Sequence, residues 1–229
     1  MKISTEFSKH ADEYETYNTI QQEVVEKLLR EVEGSPRHIL DLGCGSGSLC
    51  KRVYWEYEHF VGVDFAPKML ELHPKSKKIE AIYGDFNDPM LFEHLATYEF
   101  DYIFSASALQ WADDLASVFK KIHALHTPFS LAIFTSGTFQ TIHTTADIEP
   151  LLRSAKDLKK LQKSCLPNAK FEIEKYKLHF NTTREMFQYI KRSGVSGSRS
   201  LLNYKQTKEL MKNYPLSYLE FEVAFIKGN

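Results

Sequence analysis

Apolar and polar positions recur with two different periods along this chain, and the switches between them predict its elements. Residues 5–33 read as helix. In "IQQEVVEKLLREV", Ile20, Val24, Val25, Leu28, Leu29 and Val32 fall at three- and four-residue spacing, and Gly34 and Pro36 stop the run. Five short apolar runs of strand length follow: "HILDLG", "HFVGVD" (59–64), "IEAIYGD" (79–85), "FDYIFSA" (100–106) and "SLAIFTS" (130–136). Helical patterns separate them, one beginning near Ser48, one after Pro67, one over 88–97 and one over 114–125. Such alternation needs right-handed crossovers and predicts a largely parallel sheet with helices on both faces.

The pattern changes after residue 140. Residues 147–164, rich in Leu and Lys, read as an amphipathic helix, and "KFEIEKYKLHF" (170–180) alternates as a strand does. Residues 183–193 and 205–213 read as helices around the turn-rich "RSGVSGS", and "LSYLEFEVAFIKG" (216–228) reads as a last strand. Two late strands joined by a helical connection predict an antiparallel addition to the sheet. No linker divides the chain, so one domain is expected over residues 1–229.

Composition narrows the function classes. The net charge of −1 over 229 residues gives no global field toward nucleic acid or membrane, so neither is an expected partner. Three cysteines, at 44, 50 and 165, form no CxxC pair and predict reduced thiols and a cytoplasmic protein. No His/Cys cluster has zinc-ligand spacing, so no metal is expected. Residues 1–20 are polar, unlike a signal peptide, and no apolar run reaches the roughly 20 residues that span a bilayer.

The chemistry concentrates at three successive strand ends. "DLGCGSG" follows the first strand directly, and its glycines, Gly43, Gly45 and Gly47, are spaced G-x-G-x-G with Asp41 two residues upstream. A glycine backbone turns tightly and lets a ligand approach closely. The spacing is not the dinucleotide G-x-G-x-x-G, and no Gly-Lys-Ser/Thr follows, so a P-loop is excluded. Asp64 ends the second strand, where a carboxylate can accept both hydroxyls of a ribose. "GD" (84–85) ends the third. Each feature alone has a plain structural reading, as a turn or a helix cap. Their joint order, acid-glycine loop, acid, acid, at the ligand-binding edge of a parallel sheet points to a cofactor.

This pattern resembles the class I S-adenosylmethionine-dependent methyltransferases. "ILDLGCGSGSL", "VGVDFAPKML", "YGDF" and "FDYIFSASALQWADD" are similar to their successive motifs over residues 37–136. The resemblance implies a Rossmann-like α/β fold with a seven-stranded, mostly parallel sheet, an antiparallel C-terminal strand and a helical lid. It divides the chain into an N-terminal helical cap (1–34), a cofactor-binding core (37–136), lid and substrate-side insertions (140–215) and the final strand. It implies S-adenosylmethionine as cofactor, with the Gly43–Gly47 loop, Cys44 included, beside its methionine part and Asp41 orienting that loop. Asp64 would bind the ribose hydroxyls and Asp85 the adenine amino group. Phe65 and Phe86 would border the ring, with Met69 on the following helix, and Ser105 and Ala106 would line the floor under the sulfonium.

A narrower resemblance covers the ends of the chain. "FSKHADEYETYNTIQQEVVEKLL", "FTSGTFQTIHT", "YIKRSGVSGSR" and "YPLSYLEFEVAFIKG" are similar, in order, to segments of the malonyl-acyl-carrier-protein O-methyltransferases of biotin synthesis. That resemblance implies methylation of a malonyl carboxylate, already ionised at neutral pH, with positioning in place of a catalytic base. Substrate candidates are Tyr14 and Tyr17, closing over the site, and the cations Lys191, Arg192 and Arg199. Acyl carrier proteins are acidic, so the basic "RSAKDLKKLQK" (153–163) is the candidate docking surface on the lid. Three other readings compete. A small acid or a hydroxyl is one acceptor class, the hydroxyl needing a base such as His143 or His123. A non-catalytic binding module is another. Nucleic-acid methylation is disfavoured because "SALQW" stands where an Asn/Asp-Pro-Pro-aromatic run would be needed.

Overall fold

A computed structural model describes residues 18–192 and 204–229, with the side chains of Lys191, Arg192 and Tyr204 outside the description. Among the described residues the elements run α1 (Thr19–Arg30), β1 (His38–Leu42), β2 (His59–Asp64), α2 (Pro67–Leu72), β3 (Ile79–Tyr83), α3 (Pro89–Leu95), β4 (Tyr102–Ala106) and α4 (Leu115–Ala124). They continue with β5 (Phe129–Phe134), α5 (Gln140–Ala146), α6 (Ala155–Cys165), β6 (Lys170–His179), α7 (Thr183–Arg192), α8 (Tyr204–Asn213) and β7 (Tyr218–Gly228).

The seven strands form one sheet in the order β3-β2-β1-β4-β5-β7-β6. Strands β1 to β5 are parallel, and β7 enters antiparallel between β5 and β6, with Phe134 opposite Val223 and His179 opposite Tyr218. The order reverses between β1 and β4, so the loops after these strands diverge and leave a crevice at the carboxyl edge.

Strand residues alternate between two cores, as a sheet covered on both sides requires. Ile39, Phe60, Phe104, Phe134 and Phe221 pack under α1, α5, α7 and α8. Leu40, Val61, Ile103, Leu131 and Ile226 pack under α3, α4 and α6. The apolar stripe predicted for the first helix, Ile20 to Leu29, is buried throughout; transfer of each such side chain from water contributes about 1.5–3 kcal/mol.

Two expectations need correction. The helix expected near Ser48 is a single 3-10 turn, Cys50–Arg52. Val53 is extended after it, and Val53, Trp55 and Tyr57 turn alternately inward onto the core while Tyr54 points to solvent. That two-residue period, fixed by Trp55 Nε1 donating to the Pro36 carbonyl at 3.0 Å, overrides the helix. Residues 147–164 are not one helix. A separate helix, α5, occupies 140–146, Asp147 caps it at φ 53°, and α6 starts only where the Ser154 hydroxyl accepts from Asp157 N at 3.1 Å. The helix α6 packs on the sheet through one face. Leu158, Gln162 and Cys165 are buried, and the helix lies beside α4 on the β6–β7 side of the sheet.

Candidate active site

Asp41, the last residue but one of β1, is 1% exposed, and the glycine loop follows Leu42 and leans on β2. The Gly43 and Cys44 amides both donate to the Val63 carbonyl, at 2.8 and 3.0 Å. Gly43, Gly45 and Gly47 all have positive φ, at 80°, 53° and 82°, which a side chain rarely adopts. Two are also sterically enforced. A Cβ on Gly43 would lie 2.2 Å from the Ala108 Cβ, and one on Gly47 would lie 2.4 Å from the Pro74 Cδ. A Cβ on Gly45 would meet nothing within 4 Å, so this part of the loop faces open space.

Asp64 is the clamp. One carboxylate oxygen accepts from Gly45 N at 2.9 Å and the other from Ala66 N at 2.8 Å. The second acid thus fixes the middle of the glycine loop, a link that sequence spacing alone does not reveal. The third strand end joins through Gly84 N donating to the Asp64 carbonyl at 3.1 Å. The fourth joins in two places. The Ser105 hydroxyl, fully buried, donates to the Leu42 carbonyl at 2.6 Å, and Asp113 N donates to Asn87 Oδ1 at 2.9 Å. Four strand ends are therefore hydrogen-bonded into one rim.

The electrostatics of the rim are unusual. Burial, with a smaller contribution from the Asp64 charge, pushes Asp41 up to about 8. Burial likewise pushes Asp64 up to about 6, against the backbone N–H groups of Ala66 and Gly45 that pull it down. Neither acid has an ion-pair partner among the described residues. Burial and the same two acids hold the Cys44 thiol well above its ordinary value, so it stays protonated and is not a nucleophile. Asp41 Oδ1, Ser107 Oγ and Gln110 Oε1 are buried without hydrogen-bond partners. The last two belong together, since Gln110 Nε2 donates to the Ser107 carbonyl at 2.6 Å.

The remaining predicted residues divide. Met69 is buried on α2 and Phe65 is half-buried beside Asp64. Ala106 is half-buried at the end of β4. Asp85 is exposed, its carboxylate accepting from both the amide and the side chain of Asn87 at 2.9 Å. Phe86 points into the core with Leu91 and Phe92 and is 6% exposed. Tyr14, Tyr17 and Arg199 lie outside the described residues, as do the side chains of Lys191 and Arg192, which end α7. Arg153 is half-buried and bonded to the backbone. Its guanidinium reaches the Ala112 carbonyl at 2.8 Å and those of Gln110 and Asp113 at 3.4 Å, and its own carbonyl accepts from Ser136 N. It ties the loop after β4 to the loop after β5. Ser107, at φ 61°, and Asn87 were missed because neither residue type nor spacing marks a strained turn or a loop-to-loop bridge.

A family described as "Methyltransferase domain" matches residues 34–189, the stretch that holds the whole rim. The chain belongs to this methyltransferase family. Its relatives include the malonyl-[acyl-carrier protein] O-methyltransferase of Legionella pneumophila, 28% identical, over 95% of this chain and 82% of that one. The protein of the same name from Acetivibrio thermocellus is 26% identical over 93% and 85% of the two chains. Among solved structures, the YcgJ protein of Bacillus subtilis superposes with a TM-score of 0.61 at 13% identity, over 90% of this chain and 99% of that one. The plantazolicin methyltransferase BamL superposes with a TM-score of 0.56 at 13% identity, over 98% and 91% of the two chains. At such identities these structures establish the Rossmann-like fold.

The methyltransferase uses S-adenosylmethionine, and the rim fits it. Two buried acids without a cationic partner suit a ligand that carries a sulfonium and an ammonium, and an open glycine backbone suits close approach. No group of three or more His, Cys, Asp or Glu with metal-site geometry occurs among the described residues, and no described helix is long and apolar enough to cross a membrane.

Proposed function

We propose that this methyltransferase methylates the free carboxylate of a malonyl thioester carried on acyl carrier protein, a step of biotin synthesis. One observation carries the reading. The similarity to proteins of that name extends over 95% of the chain, and so takes in the substrate-side elements beyond residue 136 as well as the cofactor rim.

S-adenosylmethionine supplies an electrophilic methyl group, which the acceptor oxygen takes as the carbon–sulfur bond breaks and sulfur keeps the electron pair. The chain's own residues bind and align. Asp64 accepts the ribose hydroxyls through the lone pairs left free by Gly45 and Ala66. Asp41 and the Gly43–Gly47 loop hold the methionine part. Asp85 and Phe65 serve the adenine side, and Ser105 and Ala106 form the floor beneath the reacting carbon. Lys191, Arg192 and Arg199 grip the acceptor carboxylate, and Tyr14 and Tyr17 close over it. The acceptor loses no proton, because a carboxylate with a pKa near 4 is ionised at neutral pH. Catalysis then rests on alignment and exclusion of water, since opposite charges cancel as transfer proceeds.

A second reading is methyl transfer to a hydroxyl. It is favoured by His143, whose Nδ1 is buried without a partner and which burial keeps neutral at pH 7. Labelled cofactor offered with malonyl-acyl carrier protein, malonyl-coenzyme A, free malonate and a hydroxy acid separates the two. Base-labile label on the carrier, lost in Asp64→Ala, is the expected result. Label on the hydroxy acid alone, lost in His143→Ala, would replace the carboxylate reading.

A further inference from the structure

The net charge of −1 conceals an uneven distribution. On one face of the sheet, α1 and β6 present Glu23, Glu26, Glu31, Glu172 and Glu174, and Lys27 is neutralised by three of them at 2.5–3.3 Å. On the other face, α4 and α6 lie side by side and carry Lys120, Lys121, Lys156, Lys159, Lys160 and Lys163, with Asp157 as the one acid of the two helices. None of these six lysines has an ion-pair partner among the described residues. Lys156, Lys160 and Lys163 are exposed and stand four and seven residues apart, which is one stripe of a helix. Asp157 is already engaged with the Ser154 hydroxyl at 2.6 Å.

The stripe leads to the working edge of the sheet. The first turn of α6 follows Arg153, which is bonded to the loops after β4 and β5. Lys156 and Lys175 line a cleft of about 630 Å³ there, between Ser136–Gly137 after β5, the end of α5 and the start of α6. A partner seated on the stripe would reach this cleft from the side, at the edge that carries the glycine loop.

We propose that the α4–α6 face is the docking surface for the carrier: an acidic protein domain that lays a negative helix along Lys156, Lys160 and Lys163 and presents its thioester arm to the cleft. The proposal rests on the carrier-bound acceptor reading. It assigns Arg153 to loop support and leaves docking to the lysines that follow it on α6. An unpaired basic stripe on a chain of near-zero net charge steers an acidic partner and sets orientation more than it adds buried area.

The test compares two acceptors: malonyl-acyl carrier protein, and malonyl-N-acetylcysteamine, which has neither carrier nor phosphate. The triple variant Lys159→Glu, Lys160→Glu, Lys163→Glu, which spares the cleft-lining Lys156, should raise KM for the carrier by roughly 10-fold or more and flatten its rise with salt. The small thioester should be turned over as before. The matching Lys→Gln triple variant should shift KM the same way by a smaller factor, without added negative charge. Glu23→Lys with Glu26→Lys, on the opposite face, should leave the carrier KM unchanged. An unchanged carrier KM in both lysine variants, or equal loss with both acceptors, overturns the docking surface while leaving the reaction intact. Reversal that abolishes binding to a DNA duplex but spares the carrier reassigns the stripe to nucleic acid and overturns it too. A wild-type enzyme that methylates neither thioester refutes the acceptor reading itself, and the docking proposal with it.

Discussion

Gly43→Ala should damage the protein by two separable routes. At φ 80° an alanine pays the left-handed penalty of about 1–2 kcal/mol. Its Cβ would also lie 2.2 Å from the Ala108 Cβ, far inside contact distance. Ala108 has little room to retreat. Ser107 N is bonded to the Ala132 carbonyl at 2.9 Å before it, and the Ala108 carbonyl accepts from Trp111 N at 3.1 Å. Overpacking of this kind costs about 1–3 kcal/mol. Together the two routes give about 2–5 kcal/mol, a large share of the roughly 5–15 kcal/mol typical of a domain. Urea unfolding followed by circular dichroism measures this, and a slope near 2 kcal/mol per M predicts a midpoint lowered by roughly 1–2.5 M. Ala108→Gly removes the struck atom but not the strained φ. The double variant should therefore recover about 1–3 kcal/mol relative to additivity and remain about 1–2 kcal/mol below the wild type in the Gly43 contribution. Additive effects within about 0.5 kcal/mol would show that Gly43 and Ala108 do not touch, and would refute the proposed seat of the glycine loop.

Other consequences follow from the same rim. Ser105→Ala leaves the Leu42 carbonyl without its 2.6 Å donor in a dry site and should cost about 1–3 kcal/mol in a thermal melt; no change would mean the β1–β4 ends are held otherwise. Asp41, raised from 3.8 to about 8, keeps its proton in the folded protein where the unfolded chain has lost it. The stability it contributes is therefore present below pH 4 and lost as pH rises toward 8. Without cofactor, urea midpoints should fall over that window in the wild type and stay flatter in Asp41→Asn, and parallel curves would contradict the assignment. Arg153→Ala should destabilise by about 1–3 kcal/mol and speed amide exchange after β4, because three carbonyls lose a charged donor. Protection unchanged at residues 107–113 would rule out the loop-tying role.

Much of the architecture was legible because burial on both faces leaves a plain mark. The second strand was read at its observed limits, and the other strands within a few residues, since apolar runs such as "HFVGVD" have no other use in a chain of this length. The acids and glycines of the rim were legible because each stands at or just beyond the end of a strand. What escaped was whatever depends on partners distant in sequence. The alternation of Val53, Trp55 and Tyr57 lost to an expected helix, because the sequence does not show that Trp55 finds the Pro36 carbonyl. Phe86 reads equally well as a ring neighbour or as core, and the packing of Leu91 and Phe92 puts it in the core. Arg153 looked like one charge of a basic run, yet its three carbonyl partners lie about forty residues upstream. The lysines beyond it kept their expected exposure, on a helix whose Leu158 and Cys165 pack against the sheet.

The most direct test is the intact mass of malonyl-acyl carrier protein before and after incubation with the methyltransferase and S-adenosylmethionine. The account predicts a gain of one methyl in place of a proton, confined to the malonyl group, reversed by mild base and absent with Asp64→Ala. A carrier of unchanged mass, with the cofactor bound and Asp64 intact, would contradict it.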